Sequence, residues 1–299
     1  MPIPEAKLNT WSNQGAITTS SAAYASIRHA LLKSTSPLAS RRVDIYLQGS
    51  YANATNIYGD SDVDVVVLYA DTFFKDMTAL TPAQQIRHEA KFPPATYLWS
   101  HLRDDVLAAL RAHYGSGAVR PGTKSIKVDT GSGRRPSDVV PAVQFRLYTD
   151  FSDENNPWAH WGIQFFDSSN NAIVNYPKIH IERGEAKNEM ARTAGRYKRT
   201  IRLFKNLRNY LIDNNLLADK IAPSYSIECA LHNVPDRLFI GDFTTTVPAV
   251  LHYLLNTPYA GFMCQNGIVP LIGGGVTQWS ASNFATFLAA ARAAWNNWG

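Results

Sequence analysis

The residues best suited to chemistry are two aspartates on one face of a predicted strand. Gly49-Ser50 is followed, after eleven intervening residues, by Asp62-Val63-Asp64. Side chains two apart in a strand point to the same face, so the carboxylates of Asp62 and Asp64 project together. Adjacent carboxylates repel one another, and one is driven to bind a proton unless a cation lies between them. The pair therefore predicts a divalent-cation site, and Mg²⁺ is the ion that best combines carboxylate oxygens with substrate phosphates.

Asp138 and Asp129 are the candidates for a third carboxylate. Asp138 is preferred because it opens an apolar strand that continues at Val139, where a charged group is unfavourable unless it meets a partner. Three carboxylates suit a phosphoryl displacement in which metal ions about 4 Å apart hold the attacking and leaving oxygens. Two alternatives stay open: Asp138 only starts a strand after a turn, and the acidic pair caps a loop or binds calcium.

The residues before the acidic pair are typical of a phosphate-binding turn. Gln48-Gly49-Ser50 follows directly on a predicted strand over 43–47. A Gly-Ser step at the end of a strand lets backbone N–H groups approach a triphosphate. We therefore predict that Gln48, Gly49 and Ser50 contact the substrate.

Basic residues are concentrated in one stretch of the chain. Nine basic and two acidic residues lie between Arg183 and Arg208, a local charge of +7 against +5 for the whole chain. Within this stretch Lys198, Arg202 and Lys205 fall at i, i+4 and i+7, on one face of a helix. They are predicted to neutralise a triphosphate and its pyrophosphate leaving group. A solvated helix face is the alternative.

Ser224-Tyr225 follows Pro223, where a helix is predicted to begin. A serine at this position can donate to a phosphate oxygen, and a tyrosine can stack on a nucleobase. Helix capping with core packing is the alternative interpretation of both residues.

The pattern of apolar residues predicts an α/β part with a mixed sheet over 1–180 and a mostly helical part over 181–299. Asp60 is interpreted as a turn residue. Helices are predicted over 16–33, 82–91, 99–114 and 188–214, from 224 onward, and over 282–298. Strands are predicted over 43–47, 61–69, 125–129, 137–148, 161–166 and 172–175.

The composition is that of a globular protein that binds anions. Of its 299 residues 45% are hydrophobic, and its pI of about 9.1 favours phosphates or nucleic acid as ligands. The two cysteines, Cys229 and Cys264, form neither a disulfide framework nor a zinc motif. No apolar run is long enough for a membrane span and no secretion signal is recognised, so a cytoplasmic location is expected.

Taken together, these motifs resemble the signature of the DNA polymerase β-like nucleotidyltransferases. The relevant segments are Gly49-Ser50, Asp62-Val63-Asp64 and Asp138-Val139-Val140-Pro141. Within that superfamily, the run over 48–64 resembles the bacterial CD-NTases, relatives of animal cyclic GMP-AMP synthase. Segments 176–180 and 221–228, with Gly184 and Lys187-Asn188, are similar to theirs as well. The resemblance extends from about residue 20 to 240.

The resemblance implies a palm-like mixed sheet flanked by helices, a helical C-terminal lobe, and an active site in the cleft between them. It implies that Asp62, Asp64 and Asp138 bind two Mg²⁺ ions, with Mn²⁺ as a substitute. It also implies that Lys205 and Ser224 contact the donor phosphates while Tyr225 stacks on the donor base. The family makes cyclic di- or trinucleotides that activate effectors in anti-phage defence.

The partners implied are nucleoside triphosphates and a downstream effector that binds the cyclic product. Animal cyclic GMP-AMP synthase has a cysteine-rich zinc element that this sequence lacks, so activation by DNA is not expected. A regulatory protein partner is left open. Two other functions also remain: transfer of single nucleotides to RNA or protein, and nucleic-acid binding without catalysis.

Overall fold

The computed structural model describes residues 1–15, 17–59, 62–129, 131 and 135–298. The chain forms two compact units, which we call the helical unit and the sheet unit. The helical unit consists of Met1–Ala16, Gly49–Asp60 and Lys178–Gly299, and the sheet unit of Ile17–Gln48 and Ser61–Pro177. The division into 1–180 and 181–299 stays a prediction.

Helices and strands are numbered along the chain. The helices are α1 Glu5–Trp11, α2 Thr18–Leu32, α3 Gly49–Ala52, α4 Pro82–Lys91, α5 Trp99–Tyr114, α6 Pro177–Asn188, α7 Met190–Thr193, α8 Arg196–Asp213, α9 Ser224–His232, α10 Phe243–Asn256 and α11 Ala281–Asn296. The strands are β1 Val43–Leu47, β2 Val63–Asp76, β3 Val119–Pro121, β4 Ile126–Val128, β5 Ser137–Asp150, β6 Trp158–Phe166 and β7 Ala172–Asn175.

Strands β2 and β5 are the parallel pair at the centre of a mixed sheet. β1 pairs antiparallel with β2, while β4 pairs with the start of β5 and β6 with its later part. The run Val65-Val66-Val67 is buried throughout, as expected for a strand that is covered on both faces. This arrangement fixes the register of β2 against β5, on which the acidic site depends.

Most elements of the sheet unit agree with the sequence prediction. The bounds of β1, α4 and α5 coincide with those predicted. β2 is longer than predicted because it continues past a register shift between Tyr69 and Phe73. The short strand β3 was not predicted, since three residues are too few to show alternation. The predicted positions Ala16 and Ser61, and the turn at Asp60, lie outside the described residues.

The prediction of one helix over 188–214 is wrong. The structure has α6, α7 and α8 in this region. Ala194 and Gly195 have φ of 50° and 71°, the left-handed conformation that ends one helix before the next begins. Basic residues fill both sides of this break, so the composition gave no sign of it. Helices α1 and α10 were not predicted either.

Helix α8 forms the centre of the helical unit. Its apolar face buries Tyr197, Ile201, Phe204 and Leu207 in a cluster shared with α1, α9, α10 and α11. Lys198, Arg202 and Lys205 of the same helix are buried as well. No helix among the described residues has the length and apolar character that a membrane span requires.

A buried histidine lies in the aromatic core of the sheet unit. His88 of α4 is fully buried, and its ring lies 4.8 Å from Phe92, 4.7 Å from Tyr148 and 5.0 Å from Phe151, measured between centroids. Burial, reinforced by the nearby positive charges of Lys75 and Arg146, lowers the pKa of His88 to about 4. The folded protein therefore holds this imidazole neutral.

His88 predicts a loss of stability in mild acid. Between pH 6.5 and 4 the unfolded chain binds a proton that the folded protein excludes, so the free energy of unfolding falls as the pH is lowered. For this shift the loss between pH 7 and 5 is about 2 kcal/mol. Urea unfolding at both pH values should show a smaller loss for His88→Leu than for the wild type. Equal losses in the two proteins would contradict the assignment.

Candidate functional site

The predicted carboxylates come from two neighbouring strands of the sheet unit. Asp64 of β2 and Asp138 of β5 are register partners, and Asp62 immediately precedes β2. Directly paired residues point to the same face, so the side chains of Asp64 and Asp138 lie side by side. Hydrophobic residues two and four positions further along the same face belong to one buried cluster that includes Val66, Val140 and Ala142. The carboxylates therefore stand at the end of an apolar face.

A lysine that the sequence analysis did not single out lies among these carboxylates. Lys127 of β4 is the register partner of Asp138. Its Nζ is 3.3 Å from Oδ1 of Asp138 and 4.0 Å from Oδ2 of Asp62. The signal was present in the sequence: Lys127 lies between Ile126 and Val128 in a predicted strand, so it had to face away from their side of the sheet.

The second candidate for the third carboxylate, Asp129, has a different role. Its Oδ1 accepts a hydrogen bond from the backbone N–H of Gly131 at 3.1 Å, and its side chain is exposed. This is the geometry of an aspartate that stabilises a turn. Asp138, and not Asp129, is therefore the residue that the sheet places beside Asp64.

The donor chemistry of the acidic cluster fits a hard divalent cation. Carboxylate oxygens are the ligands that Mg²⁺ prefers, and the register of β2 and β5 holds two of them side by side. Among the described residues, no group of three or more His, Cys, Asp or Glu side chains is arranged closely enough to hold a metal ion. The ammonium of Lys127 is the cation found between Asp62 and Asp138. The roles of Asp62, Asp64 and Asp138 as metal ligands stay predictions.

The Gln48-Gly49-Ser50 turn lies at the point where the chain leaves the sheet unit. The backbone N–H of Gln48 donates to the carbonyl of Asp64 at 3.0 Å. Gly49 has a φ of 66°, a conformation that favours glycine, and begins α3. Within the helical unit, Asn53 donates to the Gly49 carbonyl from both its backbone and its side chain, and Thr55 donates to the Ser50 carbonyl. The turn is thus held by hydrogen bonds on both sides.

The three cations of the predicted phosphate-binding face are buried and bound to protein groups. Lys205 is fully buried and donates to the carbonyl of Thr55 at 2.9 Å. Arg202 donates to the carbonyls of Ser12 at 2.7 Å and Ala54 at 2.6 Å, and burial lowers its pKa to about 10. Lys198 forms an ion pair with Glu185. Arg202 and Lys205 thus hold the chain at Ala54 and Thr55, while direct phosphate contact by the three residues stays a prediction.

A buried carboxylate completes this network. Glu228 accepts a hydrogen bond from the hydroxyl of Thr55 at 2.6 Å and lies 3.1 Å from Nε2 of His180. Burial alone raises the pKa of Glu228, but the hydrogen bond with His180, the charge of Lys205 and the hydroxyl of Thr55 outweigh it, so the net shift is downward. The role of Glu228 could not be predicted from local sequence, because its partners His180 and Thr55 lie 48 and 173 residues away along the chain.

Ser224 and Tyr225 begin helix α9, as predicted. The ring of Tyr225 stacks on that of His180, with centroids 5.1 Å apart and an interplanar angle of 23°. The hydroxyl of Ser224 accepts a hydrogen bond from Arg208 at 2.9 Å. His180 therefore supports the aromatic ring that was predicted to stack on a nucleobase. The substrate contacts of Ser224 and Tyr225 stay predictions.

The position of His180 depends in turn on a glycine and a glutamine. Gln265 donates from Nε2 to the His180 carbonyl and accepts at Oε1 from the hydroxyl of Tyr197, both at 2.6 Å. A Cβ at Gly184 would clash with Nε2 of Gln265. Because Gln265 is bound at both ends, it has little freedom to move away. Gly184, one of the residues behind the family resemblance, thus has a packing reason to be glycine.

Known proteins resemble this chain over its whole length. The family model for the C-terminal helical domain of cGAS/DncV-like nucleotidyltransferases matches residues 182–296. A cyclic UMP-AMP synthase from Rhodothermus marinus (strain SG0.5JP17-172) is 40% identical over 299 residues, with all of both chains covered. The cyclic nucleotide synthase CdnE01 of Staphylococcus haemolyticus is 37% identical over 305 residues, again with full coverage of both.

A solved structure shows the same fold. The Rhodothermus marinus CdnE c-UMP-AMP synthase, determined with Apcpp and Upnpp, matches with a TM-score of 0.89 and 41% identity, over 100% of this chain and 98% of that one. This agreement confirms the expected combination of a mixed sheet with a C-terminal helical domain. The acidic motif, the helical domain and the similarity over the full length lead to one conclusion: the chain belongs to the bacterial CD-NTases.

Proposed function

We propose that this chain joins nucleoside triphosphates into a cyclic dinucleotide with release of pyrophosphate. The observation that carries the proposal is the pairing of Asp64 with Asp138, with Asp62 beside them, in a chain that matches a cyclic UMP-AMP synthase from end to end. That relative was solved with analogues of ATP and UTP. ATP and UTP are therefore the first substrate pair to test.

In the proposed reaction, an acceptor ribose hydroxyl attacks the α-phosphate of a donor triphosphate, and a second transfer closes the ring. Asp62, Asp64 and Asp138 would hold two Mg²⁺ ions, which when bound supply charge neutralisation for the attacking and leaving oxygens. The strand register keeps Asp64 and Asp138 together before substrate binds, and the Gln48–Asp64 backbone hydrogen bond fixes the start of the phosphate-binding turn. Such preorganisation lowers the reorganisation required in the transition state.

The helical unit carries further residues that are predicted to contact the nucleotide. Tyr225, backed by His180, offers an aromatic face for a base. Gly49 and Ser50 belong to a segment that Arg202 and Lys205 hold through its backbone carbonyls. The product would act as a second messenger for an effector in anti-phage defence, in the cytoplasm. A regulatory protein partner is compatible with this role.

The activity is tested by incubating the protein with Mg²⁺ and pairs of the four NTPs, one of them labelled at the α-phosphate. A product that resists phosphatase and has the mass of a cyclic dinucleotide is the expected result. Label that appears only on added RNA or on protein would identify a transferase of single nucleotides instead. Nucleotide binding without any product would identify a binding protein.

Replacement of the paired aspartates should abolish synthesis. Asp64→Asn and Asp138→Asn each remove a negative oxygen ligand at the reacting phosphate, and we expect rates to fall by about 100-fold or more. Mass spectrometry of the products measures the effect. Asp129→Asn is the matched control: it makes the same change of charge at a turn residue close to Asp138 in the sheet unit, and should retain the wild-type rate. Full activity of Asp64→Asn would refute the proposed site.

Tyr225 should determine the affinity for nucleotide through its ring and not its hydroxyl. Stacking of a base on an aromatic ring contributes about 1–3 kcal/mol, so Tyr225→Ala is expected to raise the KM for at least one NTP by about 5- to 150-fold. Tyr225→Phe keeps the ring and its contact with His180, so its KM should stay near that of the wild type. Steady-state kinetics with each NTP separates the contribution of the ring from that of the hydroxyl. A KM that rises equally in both variants would assign the effect to the hydroxyl.

A further inference from the structure

We propose that Lys127 is a built-in counter-ion for the catalytic carboxylates, and that divalent metal ions must displace its ammonium to bind. The inference rests on the proposed function, since it assumes that the same carboxylates hold the metal. Its starting point is the position of Nζ, 3.3 Å from Asp138 and 4.0 Å from Asp62. One positive charge thus lies against two of the three aspartates predicted to be ligands.

The fold delivers Lys127 to this position. Ile126 and Val128, its neighbours in β4, are each only 1% exposed and face the opposite side of the sheet. A shift of β4 by one residue would expose both of them and bury the lysine instead, so the register is strongly specified. With this register Lys127 pairs with Asp138, and its ammonium reaches the carboxylates on their own face.

The ammonium and a metal ion compete for the same oxygen atoms. Like charges a few ångströms apart repel one another, and the repulsion is stronger beside a protein surface than in bulk water. Lys127 therefore weakens metal binding while no nucleotide is present. A triphosphate brings its own negative charges and further oxygen ligands for the metal, which shifts the balance away from the lysine. The consequence is an enzyme that takes up metal together with nucleotide and only weakly before it.

A purely structural role for Lys127 makes a different prediction. If the lysine only neutralised the aspartates to allow folding, its removal would lower stability and leave the intrinsic affinity for metal unchanged or reduced. If it is a competitor, its removal strengthens metal binding. The direction of the change in metal affinity thus separates the two roles, without any measurement of catalysis.

The test is a titration of the nucleotide-free protein with Mn²⁺, with free Mn²⁺ followed by electron paramagnetic resonance. Lys127→Met should bind Mn²⁺ at least about threefold more tightly than the wild type, consistent with the loss of one or two partly exposed ion pairs. Lys127→Arg keeps the charge and should bind no more tightly than the wild type. Lys124→Met is the control, because this exposed lysine lies near Asp167 and away from the acidic cluster. It should match the wild type.

Two further measurements test the competition between Lys127 and the metal ion. With a nonhydrolysable ATP analogue present, the difference in Mn²⁺ affinity between the wild type and Lys127→Met should shrink. In EDTA the Lys127→Met variant should melt at a lower temperature than the wild type. Addition of Mg²⁺ should raise the melting temperature of the variant more than that of the wild type. Should Lys127→Met fail to fold, Lys127→Gln removes the same charge with a polar side chain and is expected to give the same shift.

The possible failures can be told apart. Equal Mn²⁺ affinity in the wild type and in a folded Lys127 variant, in a protein that makes cyclic product, overturns the inference and leaves the proposed function intact. Weaker binding in the variant overturns it as well and assigns Lys127 a supporting role. If no protein binds Mn²⁺ even with nucleotide, and no product forms, both the inference and the proposed function fail.

Discussion

Repulsion between neighbouring carboxylates is the constraint that the acidic site of the sheet unit must satisfy. A parallel register between β2 and β5 forces Asp64 and Asp138 to stand side by side, and the apolar residues that follow them on the same face hold that register in place. Negative charges on paired residues repel one another unless a cation lies between them. In this structure the ammonium of Lys127 meets that requirement for Asp62 and Asp138. An acidic site without substrate therefore needs a resident positive charge, and β4 provides it.

In the helical unit, buried charges are stabilised by hydrogen bonds to neighbouring protein groups. Glu228, Lys205 and Arg202 are all nearly or fully buried, and ionised groups in such surroundings are tolerated only when they are paired and hydrogen-bonded. Thr55 meets this need twice, since its hydroxyl donates to Glu228 and its carbonyl accepts from Lys205. The network links Ala54 and Thr55 to α6, α8 and α9. Removal of the Thr55 hydroxyl would take away one of the two hydrogen-bond partners of Glu228.

Much of the fold and part of the site could be predicted from sequence because the signals are local. Strand geometry predicts that Asp62 and Asp64 share one face, although β2 begins only at Val63, and Pro82 marks the start of α4. Pairing between strands could not be predicted from these local signals. The sequence already favours Asp138 over Asp129, but the pairing of Asp138 with Asp64 and with Lys127 follows from the register across β2, β5 and β4, which no single segment specifies. The break at Ala194-Gly195 was hidden for another reason: the charge and helix propensity of its neighbours are the same on both sides.

The buried basic residues show what composition leaves out, namely the burial and the partners of each charge. The charge of +7 between Arg183 and Arg208 is typical of an exposed surface that binds phosphate. Lys205 and Arg202, however, donate hydrogen bonds to the carbonyls of Thr55 and Ala54. In the proposed function their charges would also act on the triphosphate, because a field from buried cations is screened less by salt than one from exposed cations. They also hold the segment that carries Gly49 and Ser50. An effect of Lys205 on nucleotide binding therefore has two physical origins, one electrostatic and one through the backbone of the turn, and Lys205→Arg would keep the first while disturbing the second.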